Sequence, residues 1–86
     1  MSLAQIMKRT EEWLRRQWYV QDLQQTGENT LEFCTTMAWS NEVPWDIKRS
    51  LEQEIGRDMR VHTVERWGGL DYRGFYRERR VEVVLR

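Results

Sequence analysis

From Leu3 onward the apolar residues recur with a helical period. Leu3, Ile6, Met7, Trp13, Leu14 and Trp18 share one stripe, and Lys8, Arg9, Glu12, Arg15 and Arg16 lie opposite. The spacing predicts an amphipathic helix from Leu3 to about Arg16. Ser2 and Gln5 open it as a capping box, each side chain satisfying a free backbone N–H. Trp18-Tyr19-Val20 are good strand formers, so a strand is expected over about residues 18–24, turning at Thr26-Gly27-Glu28-Asn29. The alternative is continued helix to Gln25, with Gly27 as its stop.

Strand alternation is clear from Thr30 to Trp39, where Leu31, Phe33, Thr35 and Met37 alternate with Glu32, Cys34, Thr36 and Ala38. Ser40-Asn41-Glu42 breaks it. Pro44 needs no N–H in the first turn of a second helix, and Asp46 complements that helix's N-terminus. Ile47, Leu51 and Ile55 form its buried stripe, and Gly56 ends it. From Arg60 the period becomes two: Val61, Thr63 and Trp67 share one face, His62, Val64 and Arg66 the other. A last strand is expected from about Phe75 to Leu85, with Gly68–Gly74 as a long hairpin loop. The chain thus reads as one α+β domain over residues 1–86, with two helices on one face of an antiparallel sheet of three to four strands. Its order, α-(β)-β-α-β-β, contains two helix–strand–strand units without residue-level identity between them.

The last strand also predicts a protruding arm. Val81, Val83 and Leu85 belong to the core, yet Arg79 and Arg77 continue the same face, and an isolated buried charge is very costly. The core should therefore end near residue 80. The five or six strand residues beyond it reach roughly 16–20 Å.

Composition sharpens this picture in two respects. A chain of 86 residues buries only roughly 60–65% of its surface, so its five tryptophans are expected to carry much of the core, with one or two left for a partner. Formal charge balances at 14 basic and 14 acidic side chains, which argues against coating nucleic acid by bulk electrostatics. The basic excess is local: residues 66–86 carry six arginines against three acids. Arginine and aromatic side chains dominate binding hot spots, and the same two types serve single-stranded nucleic acid. Tyr72, Arg73, Phe75, Tyr76, Arg77, Arg79 and Arg80 are therefore the candidate partner-binding residues. Arg73-Gly74-Phe75 opens like an RNA-recognition signature, but Tyr76-Arg77-Glu78-Arg79-Arg80 breaks that pattern.

Little in the sequence points to catalysis. Cys34 and His62 are the sole cysteine and histidine, both mid-strand, and no spacing brings them together as a nucleophile pair. One cysteine excludes an internal disulfide. No short-spaced ligand set suggests a metal, and no glycine loop precedes a helix to cradle phosphate. No cofactor is expected. No apolar run approaches 18 residues, so the expectation is a cytoplasmic protein without membrane contact. The reading that follows is a non-enzymatic binding protein, an inhibitor or accessory factor that occludes or recruits a protein through the hairpin. Bacteriophages make many factors of this size, an expectation from class alone. A nucleic-acid-binding module using the same hairpin is the runner-up, and a homodimer paired through an edge strand is the third reading.

Overall fold

The computed structural model describes residues 2–35, 43–71 and 74–86, apart from the side chains of 68–71 and 75–77. Its elements are α1 (Leu3–Arg15), β1 (Val20–Gly27), β2 (Thr30–Thr35), α2 (Val43–Ile55), β3 (Met59–Asp71) and β4 (Gly74–Leu85). The four strands form one antiparallel sheet in the order β1-β2-β4-β3. The predicted α+β class, element order and protruding hairpin are all present. Each α-β-β unit contributes its second strand to the middle of the sheet. These two inner strands meet along four residue pairs, from Thr30↔Val84 to Phe33↔Val81.

The expected capping box holds α1. The Ser2 backbone N–H donates to Gln5 Oε1 at 2.8 Å, and the Gln5 N–H donates to Ser2 Oγ at 3.2 Å. The helix buries Ile6, Met7, Thr10 and Leu14. Thr10 fits this apolar stripe because its hydroxyl donates back to the Ile6 carbonyl at 2.7 Å. α2 buries Val43, Ile47 and Leu51 and stops at Gly56, whose φ of +75° suits glycine. On the sheet, Leu31, Phe33, Met59, Val81, Val83 and Leu85 complete the core beneath the two helices. At the far end, Asn29 ties the β1–β2 turn to β4: its carbonyl accepts from the Leu85 N–H at 2.8 Å, and its side chain donates to the Leu85 carbonyl at 3.1 Å.

Three expectations need correction, and a fourth is untested. Residues 18–25 do not continue α1, and the strand that follows is offset from 18–24, running Val20–Gly27 with its turn at Glu28-Asn29. The second half of the predicted second strand, from Thr36 to Trp39, lies outside the described residues. The supposed loop Gly68–Gly74 is mostly strand, because pairing continues through Gly69↔Tyr76 and Leu70↔Phe75 to Asp71↔Gly74, with a bulge between Trp67 and Gly69. Gly74, paired with Asp71, has a φ of +108° that glycine tolerates.

The tryptophans are the third correction. Trp13 is half-buried against the core, but Trp18, Trp45 and Trp67 are 76%, 57% and 69% exposed. Aliphatic residues, Phe33 and methionine build the core instead. Trp67, at the root of the arm, faces solvent because β3 has by then passed the end of the helical layer.

Candidate binding surface

β2 pairs with β4 only as far as Phe33↔Val81, whereas β3 and β4 stay paired to Asp71↔Gly74. The hairpin therefore runs on past the helix-covered sheet, and the molecule measures 46 × 25 × 20 Å. Of the seven sequence-derived candidates, Tyr72 and Arg73 lie outside the described residues. Phe75, Tyr76 and Arg77 occupy β4 opposite Leu70, Gly69 and Trp67, with only their backbone described. Arg79 is exposed and sits opposite Glu65.

Arg80 departs from the expected surface role. It is 5% exposed and points to the helix-free face of the sheet. There its Nε lies 2.9 Å from Oε1 of Glu32, which is 3% exposed. Its Nη1 donates to Asp22 Oδ2 at 2.9 Å, and its Nη2 donates to the Asp22 carbonyl at 2.6 Å. β1 makes this possible locally. A register shift between Gln21 and Gln24 surrounds Asp22, whose φ of +51° is one that aspartate tolerates better than most residues. The bulge turns both the carbonyl and the carboxylate of Asp22 toward the guanidinium. Burial disfavours the Arg80 charge, but the hydrogen bond to Asp22 and the surrounding negative charge outweigh it, so its pKa is raised.

The same face carries a second arginine. Arg66 Nη2 lies 3.1 Å from Glu32 Oε2 and 3.6 Å from Glu82 Oε2. It thereby compensates the like-charged cross-strand pair Glu32↔Glu82. His62 Nε2 sits 2.8 Å from Glu82 Oε1. Cys34 is elsewhere in the network: its thiol donates to Glu78 Oε1 at 2.6 Å and accepts from Arg80 Nη1 at 3.0 Å. Burial first, and then the Glu78 hydrogen bond, push the thiol's pKa up to about 11. Cys34 and His62 thus belong to separate contacts, and Cys34 is held as a protonated thiol.

Sequence spacing did not suggest a metal-ligand set, yet the fold brings Asp22, Cys34 and Glu78 together with donor atoms within 4.8 Å of one another. Arg80 Nη1 already sits among them, at 2.9, 3.0 and 3.4 Å. A metal there would have to displace a guanidinium that is also ion-paired to Glu32. The cluster carries its own cation.

Sequence reasoning missed Trp18 and Trp45 as exposed residues. For Trp45 a signal was present, since it lies off the Ile47–Leu51–Ile55 stripe. Trp18 was placed on the helical stripe, but α1 ends at Arg15. No family model, curated protein or solved structure matches this chain. Among the described residues, no helix is long and apolar enough to cross a membrane.

Proposed function

We propose that this protein is a non-enzymatic binding protein that attaches to a protein partner through the β3–β4 arm and occludes or recruits it. The observation that carries this reading is the hairpin's extension past the covered sheet with Trp67 largely exposed on it. An exposed tryptophan among arginines has the composition of an interface hot spot. The Cys34 thiol, held between Glu78 and Arg80, supports a non-catalytic role.

The test is the triple variant Tyr72→Ala, Phe75→Ala, Arg77→Ala, compared with the parent by quantitative co-purification from native cells. Exposed substitutions usually change stability by less than about half a kcal/mol, so the melting transition should hold. Recovery of the specific partner should drop at least tenfold. Undiminished recovery by a folded triple variant sinks the reading. Recovery of nucleic acid with a steep salt dependence would favour the alternative module.

A further inference from the structure

The sheet ends in two unlike edges. β1, on one side, is broken twice: its register against β2 shifts between Gln21 and Gln24 and again between Gln25 and Gly27. Asp22, within the first shift, has a φ of +51°. Bulges of this kind keep an edge from pairing with a further strand. β3, on the other side, has no such device over most of its length. Its pairing with β4 runs without a shift from Met59 to Trp67, and it contains no proline. Among the described residues, no strand lies on its outer side. The described residues flanking 36–42 are held on the β1 side, where Thr35 pairs with Val20, and Asp46 and Ser50 line a small cavity with Tyr19.

Charged side chains can also guard an edge. On the helix-free face, those of β3 lean the other way. Arg66 reaches across β4 to Glu32 on β2, its Nη2 3.1 Å from Oε2, and His62 Nε2 lies 2.8 Å from Glu82 Oε1 on β4. Both are drawn inward over the sheet, away from the outward-facing N–H and C=O groups of Met59–Trp67.

What fits this edge follows from its own residues. Two copies of β3 related by a twofold axis perpendicular to the sheet pair antiparallel, with residues of the same face opposite each other, so the axis falls on one residue. Within the regular stretch most positions fail. An axis on Thr63 sets Arg60 against Arg66 at both ends, and one on Glu65 or Arg66 sets that residue against its own copy. An axis on His62 places Glu65 beside Met59, which is buried in the core. An axis on Val61 leaves no more than Met59–Thr63 in the pair, and one on Trp67 falls against the bulge. With the axis on Val64, Thr63 meets Glu65, His62 meets Arg66 and Val61 meets Trp67. No like charges are then opposite, and the exposed indole of Trp67 faces an apolar partner.

We propose that β3 pairs antiparallel with β3 of a second copy of this chain about a twofold axis at Val64, joining two four-stranded sheets into one continuous sheet. The two arms then point in opposite directions. Asp71 lies about 23 Å along the strand from the axis, so the tips stand about 46 Å apart and one dimer presents the arm twice. The pairing uses Val61–Trp67 and not the tip, so it stands or falls separately from the arm's partner.

Sedimentation equilibrium of the full chain should give a mass that rises with concentration from 10.6 kDa toward twice that value. In the parent, alternate amides from Val61 to Trp67 should gain at least tenfold protection from deuterium exchange over the same range. Cross-linking reads the register. On a Cys34→Ser background, Val64→Cys meets its own copy with Cα atoms about 4.5–5.5 Å apart, within disulfide range, and should form an inter-chain disulfide under mild oxidation. Thr63→Cys and Glu65→Cys should each cross-link at least tenfold less alone than when the two are mixed. A mass that stays at 10.6 kDa up to the solubility limit overturns the proposal. So does a folded Val64→Cys variant that cross-links no better than Thr63→Cys alone, or concentration-dependent protection that falls on β1. Dimerisation lost in the folded triple tip variant would place the contact on the arm and overturn the edge pairing.

Discussion

At the scale of single residues, the informative positions are those where a side chain contradicts its surroundings. Arg80 is a charge nearly excluded from water, and its main partner Glu32 is equally buried. Removing one member of such a pair leaves the other charged and unsolvated, at about 3–5 kcal/mol. Arg80→Ala should therefore destabilise the fold by about that amount in denaturant unfolding, while a Glu32→Gln, Arg80→Met double variant should lose less than the two single changes summed. A loss under about 1 kcal/mol for Arg80→Ala would show that the pair is not structural. Cys34 yields a pH prediction. Its ordinary pKa is 9.0, and burial with the Glu78 hydrogen bond pushes it up to about 11 in the folded protein. Between these values the unfolded chain releases the thiol proton and the folded chain keeps it, so stability falls as pH rises through that window. Cys34→Ser should flatten the decline, as followed by unfolding at stepped pH. The parent thiol should react with iodoacetamide far more slowly than a free thiol at neutral pH. Neither residue's role was legible in the sequence. Asp22, Cys34, Glu78 and Arg80 come from three strands, and no local period records which of them meet.

At the scale of elements, legibility follows how local the cause is. The capping box, the α2 stripe with its glycine stop and the alternation of the last two strands are set by residues within a turn or two of each other, and all are present as read. The end of α1 was less clear, because Trp18 continues the helical stripe while Trp18-Tyr19-Val20 are also good strand formers. The chain resolves this with a 3.0 Å bond from the Gln17 N–H to the Leu14 carbonyl and a side-chain bond from Gln17 to the Trp13 carbonyl at 2.8 Å, which close the helix early. The glycines of the arm misled the reading in the opposite direction. Gly68-Gly69 suggested a loop, but a glycine bulge can sit inside a continuing strand pair. The candidate site was half legible for a related reason. The arm could be inferred from where valine gives way to arginine along one strand face. The exposure of Trp67 on it depended on where the helical layer ends, a tertiary fact.

At the scale of the whole molecule, two α-β-β halves meet along a narrow line. Each half builds its hairpin from neighbours in the chain, but the inner strands join residues as distant as Thr30 and Val84 across only four pairs. Contacts of that sequence separation form late in folding, after the loop-closure entropy has been overcome. Opening free energies should consequently be graded along the sheet, as they are between cooperative folding units. Backbone amides of Leu31, Phe33, Val81 and Val83 should exchange with deuterium only through global unfolding. Amides of the arm beyond Glu65 should exchange through a cheaper local opening, seen as protection at least tenfold lower in native-state exchange. Equal protection at both ends would mean that the chain unfolds as a single unit. With graded protection, the arm can fray and re-zip while the line between the halves stays shut.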